Sequence, residues 1–334
     1  MQENRCGNKL GQRWIGRLIS VFLVLTMFLG IMPVSVFAAQ DSDTLSDIPG
    51  ISTIEDQQSD SLSDFYNVED ITTLSDDEAA STTPKNVDGV YQIGTAAELT
   101  WFASAVNDGT AETQNAVLTA NIDLNNVEWK PIGTTRKKYT GTFNGQNNRV
   151  TGLYISTPDL MAGLFGFADT GSKIENLTVA GNISISNFNQ PNKSCMIGGI
   201  VAVSRGDIIN CHNEVNISLT DYACKTLNVG GICGSIGLNG TVNSIVGCTN
   251  VGDISCSVNP GSTDHFAYAG GIAGRLNFNP KVDSCKNTGS VSVALTGFGT
   301  GCAGGITNLS YVNEVDINNC YNTGSVQVTK PDSI

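Results

Sequence analysis

The chain has 334 residues, of which 40% are hydrophobic, and it carries a formal net charge of −13. The charge is uneven, because residues 41–80 hold 12 acidic and no basic residues, whereas residues 81–334 hold 18 acidic and 14 basic residues. Without a basic patch that could neutralise phosphates, the composition excludes a nucleic-acid partner.

Residues 1–39 have the pattern of a secretory signal peptide. Four basic residues precede an apolar run over residues 21–29, and Ala38 and Ala39 supply the small residues of a cleavage point. The alternative is a membrane anchor, but a Gly and a Pro interrupt the apolar run before it reaches a membrane-spanning length. We therefore expect export to a secreted or cell-surface location, with the membrane contacted only through the signal peptide.

Residues 40–87 are predicted to form a disordered linker. They are rich in Ser, Thr and Asp and have few large apolar residues. Such a segment buries too little apolar surface to offset the entropy lost on ordering, and its like charges repel one another. The alternative is an acidic tail that binds calcium or a partner.

Residues 88–160 are predicted to form an N-terminal cap and the first coils of the folded part. Thr95 and Glu98 have the spacing of a helix capping box, apolar residues follow at helical intervals, and Gly109 stands where a helix would end. The pattern predicts one short amphipathic helix over 96–107, after which short β-rich runs separated by Gly and Asn begin.

Residues 161–330 contain five repeats of about 35 residues, each with three recognisable positions. The first is a Gly followed by an apolar residue, at Gly163, Gly199, Gly231, Gly271 and Gly305. The second is an apolar position, at Leu177, Cys211, Cys248, Cys285 and Cys320. The third is a β-branched residue, at Ile183, Ile217, Ile254, Val291 and Val326.

The spacing of these positions predicts the fold class. The second and third positions are six residues apart in every repeat, whereas the other two intervals vary from 12 to 17 and from 14 to 17 residues. A fixed stretch beside variable ones indicates like units stacked in register, with loops elsewhere. We expect an all-β protein, a right-handed parallel β-helix (solenoid) of three-stranded units with a short N-terminal capping helix.

The fixed stretch contains Asn-x-Gly, and its Asn residues are predicted to form a structural ladder. Stacked coils would place Asn213, Asn250, Asn287 and Asn322 about 4.8 Å apart, so that their amides bond along the stack. Because Asn and Gly tolerate left-handed backbone angles, the motif is also predicted to make the bend between two strands. Val179 replaces the Asn of the first repeat.

Nine cysteines follow the signal peptide, and Cys211, Cys248, Cys285 and Cys320 recur with the repeat. We expect these four to form an inward, mostly reduced column, because free Cys is a common small core residue. Disulfides between stacked neighbours are the alternative, since such neighbours lie within the range that a disulfide tolerates. The spacings do not match a zinc site, so neither a metal nor a cofactor is expected.

The Gly-[Leu/Ile]-x-Gly motif followed by Asn-Cys-x-Asn-x-Gly-x-Val resembles the GLUG repeat of bacterial surface and secreted proteins. The resemblance extends over about residues 88–328, with departures at Ala202 and Asn308. It implies a module within larger envelope proteins, including adhesin-like chains and some extracellular proteases. The family offers no catalytic residues to carry over.

The polar residues of the repeats do not form a recognisable catalytic set. His212 and His265 stand apart from any nucleophile motif, and the acidic residues are scattered, with no adjacent Arg or Lys to complete a lyase-like set. We therefore expect no enzyme. The alternatives are a polysaccharide-active β-helix (lyase or hydrolase) and the non-catalytic part of a larger extracellular protease.

Aromatic residues in the variable stretches predict a binding surface. These residues are Phe188, Tyr222, Phe266, Tyr268 and Phe298. If the stretches emerge on one side, they present an irregular surface to an extracellular glycan or to a host or cell-surface protein. The alternative is that the aromatic rings pack on the wall of the helix.

The C-terminal end is predicted to need a partner. The last repeat ends at Val326, and the polar residues that follow are too few to cap it. An open coil leaves unpaired strand edges, so we expect a downstream domain or self-association there.

Overall fold

A computed structural model describes residues 82–237, 241–259, 265–309 and 315–330. The signal peptide predicted for residues 1–39 and most of the linker predicted for residues 40–87 lie outside the described part. The described residues form one helix, α1 (Ala96–Asp108), and 28 strands. The strands are β1 (Lys85–Val87), β2 (Val90–Ile93), β3 (Asn115–Leu118), β4 (Ile122–Asp123), β5 (Thr142–Asn144), β6 (Arg149–Ile155), β7 (Met161–Ala162), β8 (Phe165–Ala168), β9 (Lys173–Glu175), β10 (Thr178–Ser186), β11 (Asn189–Gly198), β12 (Val201–Ser204), β13 (Asp207–Ile209), β14 (His212–Gly230), β15 (Cys233–Ile236), β16 (Ser244–Val246), β17 (Thr249–Asn250), β18 (Ile254–Val258), β19 (Phe266–Gly270), β20 (Ala273–Leu276), β21 (Lys281–Asp283), β22 (Lys286–Asn287), β23 (Val291–Leu295), β24 (Thr300–Gly304), β25 (Thr307–Leu309), β26 (Asp316–Asn318), β27 (Tyr321–Asn322) and β28 (Val326–Thr329).

The strands stack into four faces of a β-solenoid. Face 1 runs β1-β2-β3-β5-β9-β13-β16-β21-β26, and face 4 runs β8-β12-β15-β20-β25. Face 2 contains β4, β6, β10, the first part of β14, and the pairs β17/β18, β22/β23 and β27/β28. Face 3 contains β7, β11, the second part of β14, β19 and β24. Neighbouring strands are parallel, apart from the antiparallel β1–β2 pair.

The predicted fold class is confirmed, with one correction to the unit. Each of the five repeats has strands on four faces rather than three, because the variable stretch after the β-branched position forms a strand on face 3 before it reaches the next Gly. The bend between faces 2 and 3 varies in length, and so does the bend between faces 4 and 1. The pattern of fixed and variable intervals did not distinguish a short bend plus a strand from one long loop.

The β-branched column shows how the repeats fix the register. Ile183 pairs with Ile217, which pairs with Ile254, and the column continues through Val291 to Val326. The first four members are buried in the core. Since successive strand residues face opposite sides, a slip of one residue would move this column into water, so its burial specifies the stacking.

Helix α1 covers the N-terminal end of the core. Thr95 and Glu98 form the predicted capping box, and Gly109 ends the helix at a φ of 90°. Phe102, on the buried side of α1, meets the rings of Tyr139 and Phe143 at centroid distances of 5.9 and 6.2 Å. The predicted capping helix is therefore confirmed, one residue longer than expected.

The folded part begins earlier than the sequence indicated. Lys85–Val87, which we assigned to the linker, form β1 and pair with β2, so the boundary at residue 87 falls inside a hairpin. The turn between the two strands uses Asp88 and Gly89, both at positive φ. These two turn residues are the sequence signal for the hairpin.

The sequence predicted left-handed bends at Asn-x-Gly, but the structure places these bends elsewhere. They lie one residue before the Leu/Cys position, at Asn176, Asn210, Gly247, Ser284 and Asn319, with φ from 51° to 65°. The Gly of the motif is needed for a different reason. A Cβ on Gly252 would lie 2.0 Å from the carbonyl oxygen of Val215 in the preceding coil. The motif therefore allows close stacking instead of turning the chain.

The last described coil leaves its inward positions open. Val326 and Val328 are 42% and 45% exposed, whereas Val291 and Val293 in the preceding coil are 0% and 1% exposed. Within the described residues, β28 has a paired strand on one side. The contact expected at this end, with a downstream domain or a second copy, stays a prediction.

Candidate binding surface

The predicted Asn ladder runs through the interior between faces 1 and 2. Asn213 donates from Nδ2 to Oδ1 of Asn250 at 2.7 Å, and Asn250 donates to Asn287 at 2.7 Å. Asn213, Asn250 and Asn287 are fully buried. Each amide also donates to the carbonyl oxygen two residues further on, which for Asn250 is Gly252 at 2.9 Å. The ladder thus joins the coils and braces the chain within each coil.

The predicted Cys column lies beside this ladder. The nine cysteines in the described residues are free thiols. Cys211 donates from its backbone N to Sγ of Cys248 at 3.4 Å, and Cys285 does the same to Cys320. Cys211, Cys248 and Cys285 are buried, so the column packs as small core residues.

The bend between faces 2 and 3 is one of two bends that differ in length between coils, and we call it the loop corner. It comprises residues 187–193, 220–225, 259 and 296–299. The strand register shifts there, between Gln190 and Ser194 and between Leu219 and Tyr222. Backbone hydrogen bonds still join one coil to the next at Asn187 N to Thr220 O, Ala223 N to Phe188 O, Asn259 N to Tyr222 O and Thr296 N to Val258 O. The segments at the loop corner therefore differ in length between coils, and backbone hydrogen bonds still hold each segment against the next.

Two of the five predicted binding aromatics lie inside the coil, which corrects the prediction for them. Phe188 and Tyr222 are buried and stack at 4.4 Å with 13° between their planes, and the Tyr222 hydroxyl donates to Asp159 O at 3.2 Å. The residues before them, Asn187 and Asp221, have φ of 56° and 51°. This left-handed residue turns the following ring inward, so both aromatics support the loop corner from below.

The other three predicted aromatics reach the surface. Phe266 and Tyr268 alternate with buried residues on β19, so both project from the outer side of face 3, with centroids 5.8 Å apart and planes nearly parallel. Phe298 is at the loop corner and is 70% exposed. The structure therefore separates the predicted set into a buried pair, a strand pair and one exposed corner residue.

A hollow of about 510 Å³ opens at the loop corner. Its lining includes Asn187 and Asn189, which sequence analysis did not single out, together with residues of the next two coils. The lining residues are Asn187, Phe188, Asn189, Pro191, Asp221, Ala223 and Asn259. The available sequence signal was the repeated pair of an Asn or Asp followed by an aromatic residue, at 187–188 and 221–222.

Charged side chains meet in small groups outside the loop corner. On face 2, Arg149 donates to both carboxylate oxygens of Glu214, at 2.9 and 2.6 Å, and His212 lies 3.2 Å from the same carboxylate. The hydrogen bonds from Arg149 lower the pKa of Glu214. Arg149 lies on β6, and His212 and Glu214 lie on β14, so these contacts reach across β10 and brace β6 against β14.

A second charged group lies between faces 4 and 1, where Lys173, Arg205 and Asp207 line a hollow of about 390 Å³. Sequence analysis found no Arg or Lys that would complete a lyase-like set with the acidic residues. The structure corrects this, because it brings Lys173 and Arg205 to the same hollow as Asp207. Lys173 pairs with Glu175 at 3.2 Å, and Arg205 pairs with Asp169 at 3.4 Å. No group of three or more His, Cys, Asp or Glu in the described part of the chain is placed to hold a metal ion.

Comparisons with known proteins extend the description of the fold. No protein-family model matches the chain. A curated relative from Evansella cellulosilytica, named "Putative Gly-rich membrane protein", is 28% identical over 128 residues, which is 37% of this chain and 14% of the relative. The matched part is thus a small share of that protein. Among the described residues, no helix is both long and apolar enough to cross a membrane.

A solved structure from Bacteroides ovatus has a similar fold. It is described as a "putative immunoglobulin A1 protease" and matches with a TM-score of 0.51 at 20% identity. The match covers 74% of this chain and 79% of that chain. At this identity, the likeness shows that the two chains share the β-solenoid fold.

Proposed function

We propose that the chain is an exported, non-catalytic β-solenoid module of a bacterial surface protein, and that it presents the loop corner to an extracellular glycan or a cell-surface protein. The observation that carries this proposal is that the segments of the loop corner differ between coils and yet stack in order, on coils whose register is fixed by buried columns. A rigid scaffold that carries variable segments is a common arrangement for binding.

Three further observations support the export and surface parts of the proposal. The N-terminus has the pattern of a signal peptide, the repeats resemble the GLUG motif, and a curated relative is named as a membrane protein. The neighbour named as a protease agrees with the related proposal that such modules occur as non-catalytic parts of extracellular proteases.

The export part is tested by expressing the full chain in a bacterial host and determining the mature N-terminus by mass spectrometry. We expect cleavage near Ala38 or Ala39, with the product in the envelope or the medium. An uncleaved chain that stays in the cytoplasm would contradict this part of the proposal.

The binding part is tested with beads that carry the mature chain, applied to surfaces coated with polysaccharides or with host-cell proteins. Phe298→Ser removes the exposed ring of the loop corner, and Val127→Ser removes a side chain of similar exposure, 67%, outside the corner. We expect Phe298→Ser to reduce adhesion and Val127→Ser to leave it unchanged. Equal adhesion by both variants would remove the loop corner from the proposal.

A polysaccharide lyase is the second candidate function, and the convergence of Lys173, Arg205 and Asp207 in one hollow favours it. A lyase needs a base near the proton it removes and cationic groups that bind the uronate carboxylate. Polygalacturonate and alginate would show such a reaction as ultraviolet absorbance of the unsaturated product. We expect no product from the wild type, whereas product formation that is lost in Lys173→Ala would establish the second candidate instead.

A further inference from the structure

We infer that the hollow at the loop corner is a binding site for a neutral, hydroxyl-rich saccharide, held by Asn187, Asn189, Asp221 and Asn259. The inference rests on the proposed function, because it names the ligand class of the surface that the module presents. The hollow has a volume of about 510 Å³, which lies within the range of about 300–1,000 Å³ typical of ligand pockets.

The first support is that the polar groups of the hollow are free. Within the described residues, the side chains of Asn187, Asn189, Asp221 and Asn259 make no hydrogen bond to another protein group. Other amide side chains do bond to protein groups: Asn176, for example, donates from Nδ2 to Oδ1 of Asn144 at 3.3 Å. Four free polar side chains from three coils therefore surround one hollow.

Backbone geometry explains only part of this set. Asn187 and Asp221 have left-handed φ angles, where Asn and Asp are favoured for conformational reasons. Asn189 and Asn259 do not have positive φ, so the bends do not require an amide at these two positions. The amide side chains at these two positions are therefore available to bind a ligand.

The kinds of polar group indicate the ligand class. Three amides supply both donors and acceptors, and a sugar hydroxyl also donates and accepts. Asp221 adds acceptors that can bind two neighbouring hydroxyls. One carboxylate with three neutral amides gives little net charge for a divalent cation, and the negative charge disfavours an anionic ligand.

The apolar part of the hollow's lining is formed by Phe188, Pro191 and Ala223. A Cβ on Gly297 would lie 2.5 Å from Oδ1 of Asn259, so the backbone that carries the exposed Phe298 passes directly beside the amide. The exposed ring of Phe298, at the same corner, offers a flat apolar surface that suits the C–H face of a sugar. Below, the stacked rings of Phe188 and Tyr222 hold the corner in place, which reduces the ordering that binding requires.

The test measures binding of the full chain to immobilised oligosaccharides in excess EDTA. The neutral probes are mannotriose, lactose, cellotriose and N,N′-diacetylchitobiose, and the acidic probes are sialyllactose and digalacturonate. We expect binding to at least one neutral probe, with weaker binding to the acidic probes. Asn189→Ala and Asn259→Ala should each weaken this binding about fivefold to tenfold, as expected for one lost hydrogen bond.

Two further variants separate the inference from its alternatives. Asp221→Asn keeps the shape and an acceptor oxygen, so it should retain most of the saccharide binding, whereas a cation site would be lost. Asn126→Gly is the matched control, because Asn126 is an exposed amide at a φ of 55° outside the loop corner. It should bind like the wild type.

The outcomes distinguish this inference from the proposed function. Neutral-saccharide binding that is weakened by the hollow variants and unchanged in Asn126→Gly supports the inference. Binding that is unaffected by Asn189→Ala and Asn259→Ala, or that appears only with added calcium, overturns it. If the chain binds none of the oligosaccharides but binds protein-coated surfaces through Phe298, the inference fails and the proposed function stands.

Discussion

Asn287 donates a hydrogen bond from Nδ2 to Oδ1 of Asn322 in the next coil at 2.6 Å. Its other amide proton goes to Gly289 O at 2.8 Å, and its Oδ1 accepts from Asn250 at 2.7 Å. One buried side chain thus makes three hydrogen bonds and joins three coils. An unpaired buried amide is costly, so a coil stacked one residue out of register would lose these bonds and be disfavoured.

The Asn ladder predicts a difference between interior and terminal positions. In Asn250→Ala, the Nδ2 of Asn213 loses one of its two acceptors, and the Oδ1 of Asn287 loses its donor from Asn250 inside the core. We expect the free energy of unfolding to fall by about 3 kcal/mol. Asn322→Ala is the matched control, because Asn322 is exposed, and it should cost about 1 kcal/mol. Urea unfolding followed by circular dichroism measures both, and equal losses would contradict the ladder's role.

The close approach of successive coils predicts a second effect. A Cβ on Gly289 would lie 2.1 Å from the carbonyl oxygen of Gly252, so Gly289→Ala forces backbone atoms apart. We expect a loss of about 3 kcal/mol, at the upper end of the cost of overpacking. Gly171→Asn is the control, because no atom lies within 4 Å of its Cβ position; at its φ of 89° an Asn is only mildly strained, so we expect a loss of about 1 kcal/mol. If both variants unfolded at the same urea concentration, the stacking distance would not explain the motif.

The sequence was sufficient to predict the fold because the inward columns repeat. The six-residue interval from Cys285 to Val291 recurs in every coil, and the structure places both residues in continuous columns. The number of faces was not predictable in the same way. The strands of face 3 have fewer shared residue types than those of face 2, so their alternation is hidden in single repeats.

The candidate site was predicted less completely than the fold. An aromatic residue in a variable segment carries no sign of which way its ring points, so Phe188 and Phe298 were given the same role although one is buried and one exposed. The free amides at Asn189 and Asn259 were missed because Asn is common throughout the repeats. Their significance depends on which amides lack partners, and only three-dimensional contacts reveal that.

The bend between faces 1 and 2 gives a test of backbone conformation. Asn210 has a φ of 51°, which β-branched residues rarely adopt. Asn210→Gly should change the free energy of unfolding by less than about 1 kcal/mol, because its bond to Asn176 is long, at 3.5 Å. Asn210→Val should cost about 2 kcal/mol through backbone strain. Urea midpoints of the two variants compare them, and a Val variant as stable as the Gly variant would contradict the assigned bend.

The cysteines are expected to differ sharply in reactivity. Burial raises the pKa of Cys233 and of Cys256 to about 12, so few thiolates form at these sites near pH 8. Cys302 and Cys320 are more exposed. Iodoacetamide labelling of the native chain, followed by peptide mass spectrometry, should modify Cys302 and Cys320 first and the buried thiols only after unfolding. A disulfide-linked peptide pair from the Cys column would overturn the free-thiol structure.

The ion pairs on face 2 predict a dependence of stability on pH. Hydrogen bonds from Arg149 lower the pKa of Glu214 in the folded state, and the nearby His212 acts in the same direction. A carboxyl group with a lowered pKa stabilises the fold fully above its unfolded value of about 4.3, and this contribution is lost as pH falls through the folded value. The effect should be modest, because Glu214 and Arg149 are partly exposed and water screens the pair.

Glu214→Gln isolates this contribution, because it keeps the size of the side chain and removes its charge. We expect the wild type to be more stable than the variant near neutral pH and the difference to shrink as the pH is lowered towards 3. Urea midpoints across this range, measured with Arg149→Gln and the double variant, give the coupling between the two residues. A stability difference between wild type and Glu214→Gln that stays constant down to about pH 3 would show that the charge of Glu214 does not brace β14 against β6, since the charge is lost on protonation.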